Sequence, residues 1–510
     1  MKDQAINQRR AFLKNTMLAG LGLSLAPRLG AQPLAPPQTA ELRPDGLVSI
    51  QMGPHSLFDE GIEPVLDFLK EEAAMNALMI YSHTYYGVDR KPLRVLAHDH
   101  SAPPRDLSKR NLRMSWVNHN EPAFKDTIVR HQTPEASMEY HDRDLFAEIR
   151  RPAAERGMKV FVRMLEAGAN RAGQIQNYDK VLVEDVYGRP GGGPCWNNPD
   201  YRNWVYATME DIFQNYDIDG LQYGAERTGP LSQVWFREEI PACFCQHCRS
   251  RNEAKNIDAE RAREGYRLMH EFMQRVATGE HQGPDTITIE LWKFLQKYPE
   301  ILSWNYQWFQ ADEEIQREMY RRVKKIKPEA IVGRHVDHQR SSWDPFYRSA
   351  VSYAEMAEYA DFIKPILYHD IYGPRLRYWV IERWQKLAFR DFSEEQTLDY
   401  FYEMMGYSPA ARVSLDKLEV EGMGPAYVYD ETKRCVESVQ GKAEVVAGIG
   451  IDVLWHGGGQ QPYPSDPLRL QKAVFKAVEA GASGLLASRE YDEMRFSSLR
   501  AFGAAVRQLK

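Results

Sequence analysis

From residue 45 onward, short apolar runs alternate with stretches whose apolar residues recur at helical spacing. Leu47–Met52, Ala77–Tyr81, Lys159–Arg163, Ile218–Tyr223, Ala330–Arg334, Phe362–Tyr368, a run within Val445–Trp455, and Ser483–Ser488 read as eight strands. Each is short and rich in branched or aromatic residues. Glu60–Glu72 sets Ile62, Val65, Leu66 and Leu69 on one helical face, and Asp144–Arg156, Asp200–Tyr216 and Arg495–Lys510 read as further helices. Long insertions follow the second strand (86–140) and the fourth (228–330), and helical segments fill 376–440. The strands are apolar on both faces, as buried parallel strands are. The order predicts an α/β fold, a (β/α)8 TIM barrel with long insertions after strands 2 and 4. An open doubly wound sheet is the alternative. No Gly-x-Gly-x-x-Gly follows the first strand, so dinucleotide binding is not supported.

In such a barrel the working face lies at the C-terminal ends of the strands. Polar residues gather at those ends here. They include His55, His83 and Tyr85, Arg163, Glu226, Arg334–His335 with Asp337 and His338, His369–Asp370, Trp455–His456, and Arg489–Glu490. Single histidines are usually structural hydrogen bonders, but six near one rim predict a polar cleft.

The first 31 residues have a different character. Arg9-Arg10 precedes Phe12-Leu13-Lys14, an apolar stretch runs from Met17 to Ala26, and Leu29-Gly30-Ala31 offers small residues for cleavage. This pattern resembles a twin-arginine export signal and predicts a periplasmic or secreted protein. Residues 32–44, rich in Pro and Ala, read as a linker, and 45–510 as the barrel. The leader's five basic residues against Asp3 give it a net +4, so its removal takes the formal charge from −6 to −10. A mixed, net-acidic chain argues against nucleic-acid binding. No stretch reaches the ~20 apolar residues of a membrane span, so no membrane partner is expected after leader removal. Self-association into a homo-oligomer is left open. With 43% hydrophobic residues the chain can bury a large core. The 27 Tyr, 20 Phe and 11 Trp suit either that core or a cleft in which sugar rings stack.

Five cysteines make no disulfide scaffold. Cys243, Cys245 and Cys248 form Cys-x-Cys-x-x-Cys just after strand 4, and Cys195 lies in Cys-Trp-Asn-Asn-Pro-Asp-Tyr-Arg between strands 3 and 4. Four thiolates can close a tetrahedral structural Zn site, while a periplasmic disulfide and free thiols are the alternatives. His247 is a weaker ligand candidate, and Cys435 reads as apolar packing.

These two cysteine motifs together resemble the family 42 glycoside hydrolases, the β-galactosidase barrels. The resemblance covers residues 190–250 best. It implies that Cys195, Cys243, Cys245 and Cys248 hold zinc, and that Glu226, ending strand 4, is the general acid/base. Ala225 stands where the family has Asn, and strand 7 ends in Asp452-Val453-Leu454-Trp455-His456 with no Glu for a nucleophile. The chain therefore resembles a divergent relative of that family. Glycoside hydrolysis needs two carboxyls, one protonated and one ionised. Glu226 is the expected acid, Glu490 the first choice of partner and Asp337 the second, with Asp370 also a candidate. His83, Tyr85, Arg334, His335, His369, Asp370, Trp455 and His456 are the expected carbohydrate-binding residues. Two further functions are weighed: a metal-dependent sugar lyase or isomerase using the His and Asp residues of strands 5 to 7, and a non-catalytic glycan-binding barrel.

Overall fold

The computed structural model describes residues 41–85, 100, 110–165, 175–280, 283–453 and 464–510. The export signal and most of the linker lie outside the described residues. Eight parallel strands run β1 (Val48–Met52), β2 (Ala77–Tyr81), β3 (Lys159–Leu165), β4 (Gly220–Gly224), β5 (Ile331–Val336), β6 (Phe362–Leu367), β7 (Glu444–Gly450) and β8 (Gly484–Ser488). They close in sequence order. The last pairing, Val48–Leu485, Ser49–Leu486 and Ile50–Ala487, joins β8 to β1 and rules out the open sheet. Helices follow the strands, among them Leu145–Glu155, Pro199–Asn215, Pro467–Glu479 and Phe496–Leu509. The helix expected over 60–72 is present as Ile62–Glu71; Gly61, at φ 90°, separates it from a short preceding helix, Pro54–Glu60. Among the described residues no helix is long and apolar enough to cross a membrane.

Alternation along each strand decides what fills the barrel. Ala77, Met79, Phe161, Phe362, Val446 and Leu486 form an apolar layer inside. Glycines on neighbouring strands make room for the large members. A Cβ on Gly333 would meet the Phe362 ring at 1.9 Å, and one on Gly448 would meet the Lys364 side chain at 2.2 Å. At Gly220 the added carbon would stand 2.2 Å from the Ile331 carbonyl and 2.4 Å from Phe161. The carbonyl belongs to a paired strand and cannot swing aside. Gly220→Ala is therefore expected to destabilise the fold by about 1–3 kcal/mol through overpacking, read as a lower urea midpoint with an unchanged m-value.

Candidate active site and thiol cluster

The inward-facing series can be followed past the strand ends. On β4 it runs Gly220, Gln222, Gly224, Glu226; on β5 Ile331, Gly333, His335, Asp337; on β8 Gly484, Leu486, Ser488, Glu490. The β4–β5 register pairs Gly220 with Ile331 and Tyr223 with Arg334, and its continuation sets Glu226 opposite Asp337. The Glu226 side chain is 51% exposed, just past the end of β4, so its carboxylate is open to solvent on one side. His335 Nε2 stands 3.6 Å from Glu226 Oε1, just beyond hydrogen-bond reach. Asp337 is 3% exposed and accepts the Arg340 backbone N–H through Oδ1, while Oδ2 has no hydrogen-bond partner among the described residues.

These two carboxyls are driven apart electrostatically. Burial raises the Glu226 carboxyl, but the adjacent His335 ring and the charges of Arg489 and Arg163 outweigh it and hold the group well below the usual range. Burial and the Glu226 charge push Asp337 up to about 7. Burial, with the nearby Lys364, takes His335 down to about 3, so at neutral pH it offers an N–H rather than a charge. Near neutral pH Glu226 is then ionised while Asp337 still holds a proton about half the time.

Below this pair the barrel holds a polar chain that sequence reasoning did not single out. Gln51 Nε2 donates to Gln222 Oε1 at 2.9 Å, Ser488 Oγ to Gln51 Oε1 at 3.1 Å, and Lys364 Nζ to Ser488 Oγ at 2.8 Å. Lys364 Nζ also approaches His335 Nδ1 at 3.4 Å. As donor, the lysine fixes the His335 tautomer, leaving Nε2–H toward Glu226. Lys364 is fully buried, and burial together with the Arg163 charge holds it well below the usual lysine range. Its sequence signal was a lone lysine at an inward position of an apolar strand.

Glu490 is engaged differently. Arg163 Nη1 donates to its Oε1 at 2.7 Å and Tyr81 OH at 3.1 Å, with the guanidinium 4.1 Å over the Tyr81 ring. Arg489 does not pair with Glu490. It grips Glu493 through two bonds of 2.9 and 3.1 Å, with its backbone at φ 117°. Nor does Arg227 pair with Glu226: its guanidinium lies between the rings of Trp196 and Trp308, at 3.9 and 3.8 Å.

Several expected cleft residues are placed elsewhere. Arg334 has the outward parity of β5 and enters a buried ionic cluster with Asp312 (2.6 Å) and Glu313 (3.1 Å) of helix Glu300–Ile326, so it does not face the cleft. Tyr85 is fully buried, stacked on His83, with its hydroxyl 2.5 Å from His131 Nδ1, so it presents no face to a sugar. His83 is enclosed too, bonded to Ser82, and burial lowers it to about 3. Both belong to a histidine cluster with His119, His131 and Trp204. Within it Ser115, His119 and Asp211 are linked at 2.9 and 2.8 Å in the order of a nucleophile, base and acid. Ser115 is 4% exposed and lies 3.2 Å from the Val117 carbonyl, so the chain is a brace between the insertion and helix Pro199–Asn215. His369 and Asp370 open helix His369–Leu376, 3.3 Å apart, with Arg469 beside Asp370 at 3.7 Å. Asp452, near the end of β7, is bound to Arg495 and Ser465. Trp455 and His456 lie outside the described residues.

Cys195, Cys243, Cys245 and Cys248 converge, all four sulfurs lying within 4.8 Å of one another, and all are buried. Cys195 Sγ stands 3.6 Å from Cys248 and 3.4 Å from Cys245. That is far beyond the ~2.05 Å of a disulfide bond. It is near the ~3.8 Å edge of a sulfur tetrahedron around an ion at about 2.3 Å. The Glu184 backbone N–H and the Asn197 amide reach Cys243 and Cys248 sulfurs at 3.4 and 3.3 Å, as donors reach thiolates. The four could hold a metal ion. His247 is not part of the cluster, and Cys435 packs in an apolar core with Val336 and Val439, as expected. Among the described residues no other set of three His, Cys, Asp or Glu converges, so His335, Asp337, His338, His369 and Asp370 do not assemble a second metal site.

No family model and no curated protein matches the sequence. Solved structures similar to it include the PgaB (BpsB) glycoside hydrolase domain from Bordetella bronchiseptica, with TM-score 0.45 and 11% identity over 87% of this chain and 94% of that one. A β-galactosidase from Marinomonas ef1 gives TM-score 0.48 and 9% identity over 91% and 59%. An exo-β-N-acetylglucosaminidase from Vibrio harveyi gives TM-score 0.38 and 10% identity over 90% and 54%. This chain spans little more than half the length of the latter two. Likeness this distant places no residue of the site.

Proposed function

We propose that the chain is an exported glycoside hydrolase whose working pair is Glu226 and Asp337. The observation that carries this reading is the pair itself: two carboxyls just past the C-terminal ends of neighbouring strands, pushed in opposite directions, at the mouth of a closed barrel. The sequence suggested Glu226 as the acid and Glu490 as its partner. The electrostatics favour Asp337 as proton donor and Glu226 as the ionised group, with Glu490 holding Arg163. Asp337 gives its proton to the leaving glycosidic oxygen as the C–O bond breaks. Glu226 meets the positive charge developing at the anomeric carbon, as nucleophile or as base for the attacking water, and both roles need it ionised. His335 presents Nε2 toward the carboxylate from 3.6 Å. A hydrolysis screen across oligo- and polysaccharides tests the assignment: reducing ends released by the wild type and not by Glu226→Gln support it, and no release from any glycan rejects it.

The thiol cluster is proposed to hold one structural zinc, which four cysteines with no open position suit. Export by the twin-arginine route is proposed from Arg9-Arg10. Changing both to Lys is expected to leave uncleaved precursor in the cytoplasm on fractionation, and unimpaired export of that variant would overturn the assignment.

A further inference from the structure

Arg375 differs from its neighbours in the cleft wall. Arg163 has Glu490 and Arg489 has Glu493. Among the described residues Arg375 has no carboxylate within salt-bridge distance, although it is largely enclosed. A guanidinium removed from water without a counter-ion is costly. This one is nevertheless held in a fixed pose by neutral groups. Its Nη1 donates to His338 Nδ1 at 2.9 Å, His338 Nε2 meets the Tyr427 hydroxyl at 3.2 Å, and the Tyr368 ring lies 5.1 Å beneath the guanidinium. His338 is held neutral, first by burial and then by Arg375 itself, so it serves as acceptor on Nδ1 and donor on Nε2. The Tyr368 hydroxyl is anchored 3.2 Å from Ser488 Oγ, in the polar chain beneath Glu226. Both Arg375 and Tyr368 feel the Glu226 charge. The group is thus oriented by neutral partners while remaining partly accessible, with no anion bound to it among the described residues.

We propose that Arg375 is the anchor of an anionic subsite beside Glu226, so that the glycan bound there carries a carboxylate or sulfate on the sugar it presents to the cleft. This rests on the hydrolase reading for the meaning of Glu226, but not for the existence of the subsite. Planar guanidinium recognises both anions through paired N–H bonds. Neutral sugars would leave the Arg375 charge uncompensated.

The test uses full-length mature protein carrying Glu226→Gln, to prevent turnover, on an array of uronate, sulfated and neutral oligosaccharides. The bound members are then titrated calorimetrically. Binding confined to acidic glycans is expected, with carboxyl-reduced or desulfated counterparts weakened roughly 10–100-fold, the range for losing one charge-assisted contact. Comparing the reduced with the desulfated arm tells carboxylate from sulfate. Adding Arg375→Gln should remove the difference between acidic and neutral forms, and Arg375→Lys should restore part of it; an unchanged melting temperature excludes misfolding. Neutral glycans bound as well as acidic ones, or no acidic glycan bound at all, overturns the subsite. Acidic glycans bound by the variant but left uncleaved by the wild type reject the hydrolase reading and leave the subsite standing.

Discussion

Asp337→Asn is expected to slow turnover roughly 10²–10⁴-fold and yet to make the protein more stable above neutral pH. The first half follows from its role. The amide keeps the shape but has no transferable proton, and loss of a general acid costs roughly 10²–10⁴ in rate. The second half follows from linkage. In the unfolded chain Asp337 ionises near 3.8, and in the fold near 7. Its folded value is raised, so the stability it confers is full below 3.8, declines between 3.8 and about 7, and is gone above that. At pH 8 the native state holds a buried carboxylate facing Glu226, which disfavours folding by up to about 4 kcal/mol. Asn carries no such charge, so the melting temperature at pH 8 should rise while that at pH 4 changes little. A merely structural Asp337, bonded to the Arg340 N–H, would give the opposite sign. The same titration sets the alkaline limb of activity: kcat/KM should fall as pH rises through about 7, because the protonated donor is lost. Glu226→Gln should lose activity to a similar extent and, by removing the charge that raises Asp337, lower the apparent ionisation of that group, visible in the carboxyl NMR titration.

The barrel was legible because buried parallel strands write themselves as short apolar runs. Lys159–Arg163 and Ile331–Val336, for example, were anticipated to within two residues. Glu226 and Asp337 were legible for a second reason, since each lies at even spacing from inward-facing strand residues. The same rule exposes the error at Arg334. It is adjacent to His335, has the opposite parity, and so belongs to the helix-facing cluster with Asp312 and Glu313. His83 and Tyr85 were misplaced because their partners are distant in sequence. A bridge from His83 to Ser115 turns the end of β2 against the following insertion, and no local pattern encodes that pairing. Lys364 was read only as part of the sixth strand, and nothing local shows that the glycine at 448 opens the barrel interior to its side chain. The direction of the Glu226 shift was beyond sequence altogether. It depends first on His335, from β5, and then on the more distant charges of Arg489 and Arg163, none of them local to Glu226 in sequence.

Removal of one cysteine of the cluster should unfold the region next to Glu226 rather than merely release an ion. Cys195 follows a hairpin made by Leu182–Glu184 and Pro190–Pro194, while Cys243, Cys245 and Cys248 lie beyond helix Pro230–Phe236. The metal would tie these two excursions together. The next residue after Cys195 is Trp196, whose ring faces Arg227, and Arg227 follows Glu226 in the chain. A path of one peptide bond, one cation–π contact and one further peptide bond leads from the sulfur cluster to Glu226. Cys248→Ser is therefore expected to lower the zinc content from about one ion per chain to near zero by elemental analysis. Loss of a structural metal belongs with the largest single-site effects, above about 4 kcal/mol, so the melting temperature should fall by roughly 5–10 °C. Chelator treatment of the wild type should reproduce that shift and leave Cys435, in its apolar core, unreactive toward thiol reagents until global unfolding. The Cys248→Ser protein should also lose binding of the glycans selected on the array, because the loop carrying Glu226 is no longer pinned through Trp196. Retention of both the melting temperature and glycan binding without bound metal would show that the four sulfurs are packing groups, and would remove zinc from the account of the site.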